Sequence, residues 1–190
     1  MNRSAGLFRP AFIILHGAKM CTSIEDGFAL APEAVFELIQ SVYRSTDLFA
    51  TDFEEAYPSL GELRGRFKEI RTRPGCQFLV ARNGNHLVGY LSLVPRLARK
   101  LRHTADLNMG VRQEARGQGI GDVLLGAALA RLQSERIIEI VYLMVRADNH
   151  RALQLYEKHG FEALATLARD IKIGTRYHDG VLMRKHLAHH

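Results

Sequence analysis

Apolar and polar positions along the chain alternate between two periods, and the switches between them lay out a series of elements. Phe12–Leu15 and Lys19–Ile24 are β-prone runs on either side of His16-Gly17-Ala18, the pattern of an opening hairpin. Pro32 stands in the first turn of a predicted helix that runs to about Ser45. Its Val35, Phe36, Leu38, Ile39 and Val42 share one face. The stretch Thr46–Pro58 is aromatic and acidic without clean periodicity, and is expected to be a loop or broken helix. Leu60–Ile70 reads as a second helix, closed by Arg73-Pro74-Gly75. Gln77–Arg82 and His86–Val94 flank Asn83-Gly84-Asn85, a hairpin signal.

After a basic linker the period-2 pattern returns in His103–Val111, and a helix over Gly121–Gln133 gathers Leu124, Leu125, Ala128, Leu129 and Leu132 on one face. Ile137–Val145 is a dense apolar strand, and Asn149–His159 a helix stopped by Gly160. Phe161–Ala168, Asp170–Ile173 and Val181–Met183 are expected to be closing strands. The order predicts an α/β (α+β) fold in a single domain spanning 1–190. It has one mixed, mostly antiparallel central sheet flanked by helices, with a βαβ unit in the middle.

That βαβ unit carries the chemistry. Between its first strand and its helix lies Arg116-Gly117-Gln118-Gly119-Ile120-Gly121, three glycines in five residues. Glycines let a ligand reach the backbone, and the first amides of the helix that follows are unpaired, with the positive end of the helix dipole behind them. Such a turn suits a phosphate or pyrophosphate. A P-loop would need Lys-Ser/Thr after the turn. A Rossmann turn would need Gly-x-Gly-x-x-Gly and an acidic residue ending the next strand, which here ends in Val145-Arg146. Neither fits.

Downstream, Asn149, Ala152 and Tyr156 recur at i, i+3 and i+7, on one helix face, ahead of Gly160-Phe161. Asn149 is also a natural N-cap and Gly160 a natural C-cap. Together, Arg116-x-x-Gly119-x-Gly121 and Asn149-x-x-Ala152-x-x-x-Tyr156-x-x-x-Gly160-Phe161 resemble the two signatures of the GNAT superfamily of N-acetyltransferases. The specific part of the resemblance covers Asp106–Phe161. One departure is Gln113, where the family usually carries proline.

The resemblance implies the acyl-CoA N-acyltransferase fold and acetyl-CoA (coenzyme A) as cosubstrate, with no metal. Met109, Gly110 and Val111 would contact the pantetheine arm and the acyl oxygen. The amides of Arg116, Gly117, Gln118, Gly119, Ile120 and Gly121, with Asp122, would hold the pyrophosphate, and Asn149, Ala152 and Tyr156 would line the cofactor's path. Tyr156 would be the acid beside the sulfur. For the base, Asp106 is the candidate, although it alternates with Leu107 and Met109 and so faces away from them. Glu54, Glu55, His103 and His178 are further candidates.

The implied reaction is acetyl transfer to the primary amine of a small molecule. The Tyr177-His178-Asp179 turn resembles the last hairpin of members acting on amino acids and other small amines, and the Phe12–Gly17 opening resembles a bacterial branch. The alternatives are a protein N-terminal or lysine acetyltransferase, and a non-catalytic CoA-binding module. Superfamily members are often dimers, which implies a homodimer.

Composition narrows the rest. The 190 residues are 47% hydrophobic and 24% charged, as a globular protein with a real core requires. The net charge of +6 suits a polyanionic ligand. Arginines cluster at 64–73 and 96–102 without interleaved aromatics or zinc-finger spacing, which argues against nucleic acid as partner. Two cysteines, Cys21 and Cys76, form no disulfide or metal motif and point to a reduced, cytoplasmic setting. Nothing in the sequence predicts a membrane span. No role is assigned to His189-His190.

Overall fold

A computed structural model describes residues 11–13 and 22–187. Among these residues eight strands form one sheet in the order β1-β2-β3-β4-β5-β6-β8-β7. They are β1 (Ala11–Ile13), β2 (Thr22–Asp26), β3 (Gln77–Asn83), β4 (His86–Pro95), β5 (Thr104–Val111), β6 (Ile140–Arg146), β7 (Glu162–Ile173) and β8 (Arg176–His186). The helices are α1 (Pro32–Arg44), the single turn α2 (Phe53–Ala56), α3 (Leu60–Ile70), α4 (Ile120–Glu135) and α5 (His150–Lys158). Every neighbouring pair of strands is antiparallel except β5–β6, which α4 joins as a crossover.

Period-2 alternation divides the sheet residues between two cores. Leu91, Leu93, Leu107, Leu143 and Met183 pack beneath α4, whose Leu124, Leu125, Ala128, Leu129 and Leu132 are all buried as the sequence predicts. On the opposite face Phe78, Val80 and Tyr90 pack against α1 and α3, where Val35, Leu38, Ile39 and Val42 are almost completely enclosed. Leu124 is fully buried against the sheet, so Leu124→Ala should cost about 2–5 kcal/mol of stability. Chemical denaturation that leaves the midpoint unmoved would contradict this packing.

Several boundaries differ from the sequence expectation. The dense run from Ile137 enters the ladder only at Ile140, opposite Thr104. Arg136 closes α4 in the left-handed region (φ 53), and the chain is still passing beneath the sheet at Ile138. The two short strands expected over 161–173 are one continuous β7. Bulges between Ala163 and Ala165 and between Leu167 and Ile171 absorb the extra residues, and Arg169 sits at φ 57 within the second. β8 extends well beyond Val181–Met183. The opening strands pair antiparallel, but the turn at 16–18, Cys21 and the terminal histidines lie outside the described residues.

Candidate functional site

The site originates where the parallel pair comes apart. β5 and β6 pair only over Thr104–Asp106 and Ile140–Tyr142, although β5 keeps β4 along its whole length and β6 keeps β8. Beyond Asp106 the edge of β5 that faces β6 therefore carries backbone groups with no ladder partner. The wedge between the strands is a cleft of about 1100 Å³. Met109, Gly110 and Val111 form one wall. Leu143, Met144 and Val145 form the other, and α5 closes one side through Asn149, Ala152, Leu155 and Tyr156.

At the mouth of the cleft stands the glycine turn. Gly117 and Gly119 have φ of 77° and 79°, a region that strains any residue with a Cβ. Gly119 caps α4, and the first helical bond runs from the Val123 N–H to the Gly119 carbonyl (3.1 Å). The N–H groups of Ile120, Gly121 and Asp122 thus precede the ladder and carry the positive end of the helix dipole. Gly121 is small for a second reason. A Cβ there would lie 3.1 Å from Leu155 and 3.3 Å from Met109, narrowing the passage between β5 and α5.

The side chains of the turn mostly brace it. Arg116 donates from its own N–H to the Gln113 carbonyl (3.2 Å). Its guanidinium turns inward to the carbonyls of Val111 (3.0 Å) and Ser45 (3.4 Å). Gln118 donates to the Glu114 carbonyl (2.9 Å). Asp122 binds Lys158 (2.7 Å) and His159 (2.8 Å), which ties α4 to α5; the Lys158 hydrogen bond holds its carboxyl below the usual range. What Asp122 offers an anion is its amide, not its carboxylate.

On α5 the Asn149 side chain caps the helix, accepting from the Ala152 N–H (3.3 Å), and still lines the cleft. Tyr156 is 7% exposed, packed against the Phe161 ring at 5.6 Å. Burial pushes its phenol far above the ordinary value, so it stays protonated across the neutral range.

Asp106 also lines the cleft, on the α1 side of the sheet, gripped by both Nε and Nη2 of Arg96 (3.0 and 2.7 Å). The Arg96 guanidinium lies 4.6 Å over the Tyr142 ring. Asn108, next on that face, accepts from the Tyr90 hydroxyl (3.1 Å). Of the other candidates, Glu54, Glu55, His103 and His178 do not line the cleft.

The aromatic, acidic stretch marked out in the sequence reaches the cleft, and β6 and β8 add residues that the sequence did not single out. Leu48, Phe49 and Thr51, from the segment after α1, cover the cleft on the α1 side, and Tyr142, Met144 and Leu182 line it from β6 and β8. Among the described residues no group of His, Cys, Asp and Glu is arranged to hold a metal ion. None of their helices is long and apolar enough to cross a membrane.

Comparison with known proteins places these features in a family. The description "Acetyltransferase (GNAT) family" matches residues 42–161. The chain is 26% identical to the spermidine N(1)-acetyltransferase of Vibrio cholerae over 142 residues, 74% of this chain and 81% of that protein. It is 24% identical to the L-amino acid N-acetyltransferase of Escherichia coli, over 69% of this chain and 79% of that one. The fold also matches a phosphinothricin acetyltransferase from Sinorhizobium meliloti solved in complex with acetyl-CoA. The TM-score is 0.75 at 23% identity, covering 88% of this chain and 89% of that one.

Proposed function

Because the chain belongs to the GNAT family of acetyl-CoA-dependent N-acetyltransferases, we propose that its acceptor is the primary amine of a small molecule and that the cleft between β5 and β6 is where transfer occurs. Acetyl-CoA supplies an acyl thioester already activated toward an amine. The observation that carries the reading is the open edge of β5 leading to the unpaired amides of α4.

In this reading the amides of Ile120, Gly121 and Asp122 bind the pyrophosphate. Backbone groups of Met109, Gly110 and Val111 bind the pantetheine arm and polarise the acyl oxygen. Tyr156, kept neutral by burial, donates a hydrogen bond to the departing sulfur. Asp106 lies on the face that the 46–51 segment covers, and accepts the proton the amine must lose, through water. The acceptor side is mainly apolar and aromatic, with Phe49, Tyr57, Val94, Tyr142 and Met144. Such walls suit a compact amine, as do the acceptors named for the spermidine and amino-acid enzymes among the relatives.

Free-thiol release from acetyl-CoA tests this with a panel of amino acids, polyamines and short peptides. Small amines should release thiol faster than any peptide. Release with peptides alone would make the chain a protein acetyltransferase. Binding of CoA without release by any amine would leave a non-catalytic module.

A further inference from the structure

The segment that joins α1 to α2 crosses the β5–β6 wedge on the α1 side of the sheet, and an arginine holds it at each side. On the β5 side Arg116 reaches the Ser45 carbonyl. On the β6 side the contact is made by Arg146, the last residue of that strand. Arg146 is 5% exposed, and no other charged side chain among the described residues is enclosed to that degree. Its Nη1 donates to the Asp47 backbone carbonyl (2.9 Å) and lies 3.3 Å from the Asp47 carboxylate. Nε and Nη2 hold both oxygens of Asp148 (2.8 and 2.7 Å), and Nδ1 of His178 lies 3.5 Å from the same carboxylate.

A buried guanidinium is tolerated only when its charge and its planar fork of donors are matched, and this one is matched on two edges. The arrangement ties chain positions 99 residues apart. Arg146 itself does not line the cleft, whereas Leu48, Phe49 and Thr51, directly after Asp47, do. The Phe49 ring stacks on Tyr43 at 4.1 Å and comes so close to β5 that a Cβ on Gly110 would lie 3.1 Å from it. The fastened segment is thus the wall that faces the strand expected to carry the acyl group.

We propose that Arg146 is a positioning residue for the acceptor: it fastens 46–51 to the end of β6 and so sets the wall against which the amine is aligned. The inference rests on the acetyl-transfer reading above. Because one of the bonds goes to a backbone carbonyl, removing the Asp47 side chain alone leaves part of the fastening. Lysine at 146 would keep the charge but lose the fork.

The test compares Arg146→Met and Arg146→Lys with the parent chain. Methionine keeps an unbranched stem, and the carboxylates it abandons are 67% and 50% exposed, so the fold should tolerate the loss. The lysine variant covers the case in which it does not. Amide hydrogen exchange of the CoA-free protein should quicken in 46–51 and stay unchanged in 116–122 and 150–158. The amine KM should rise by about tenfold or more, as expected for a misplaced reactant. CoA affinity should move little, and Arg146→Lys should fall between.

Unchanged exchange in 46–51 would overturn the fastening. Faster exchange with unaltered amine kinetics would overturn the alignment, and equal loss of CoA and amine binding would reduce Arg146 to a structural role. A parent chain that acetylates no amine would sink the acetyl-transfer reading and the acceptor role with it. The exchange measurement would then still decide the fastening by itself.

Discussion

Tyr156→Phe should lower turnover by on the order of 100-fold or more, the usual worth of a positioned proton donor, and should leave CoA affinity unchanged. The change removes one hydroxyl and keeps the ring, so the packing against Phe161 survives. The phenol loses its proton only well above its ordinary value near 10, because burial disfavours the phenolate. It is therefore a donor at every working pH, and the turnover of the parent enzyme should show no loss up to pH 10 attributable to this group. Steady-state kinetics with calorimetry on the variant separates the two effects. An equal loss of turnover and CoA binding would show that Tyr156 serves the cleft's shape and not its chemistry.

The second large effect concerns binding. Gly121→Val should weaken CoA by about 100-fold, roughly 2.7 kcal/mol. Its first added carbon already presses on Leu155 and Met109, and the next two carbons would stand in the passage between β5 and α5. Gly117→Ala provides the contrast. Nothing lies within 4 Å of its added carbon, although φ of +77° strains it. It should cost stability of about 1 kcal/mol and far less affinity. Equal affinities for the two variants would mean that the ligand does not pass beside Gly121.

These predictions rest on features that were partly legible in the chain itself. The glycine turn, the buried stripe of α4 and the Asn149–Ala152–Tyr156 face were readable because each is fixed by residues within two turns of one another. The long β7–β8 hairpin was legible only as three short strands. Nearly all of β7 is exposed on both faces, so its residues show no apolar alternation, and its bulges break the period further. The late start of β6 was hidden because Ile138 is as buried as a strand residue while lying outside the ladder.

Arg146 illustrates a different limit. In the sequence it only spoils a Rossmann reading, since a basic residue ends the strand where an acidic one is needed. Its partner Asp47 lies in a stretch without period, and nothing local links the two. The separation of Asp106 from Met109 and Val111 was readable from strand alternation. Its pairing with Arg96, ten residues earlier, was not, because it depends on how β4 meets β5.

The central claim is that the mouth of the wedge binds a pyrophosphate and the wedge itself the arm that follows. Calorimetric titration with CoA and, separately, with pantetheine, which lacks the pyrophosphate, addresses it most directly. CoA should bind saturably, and pantetheine about two orders of magnitude more weakly. Equal affinity for the two, or no binding of CoA, would contradict the account.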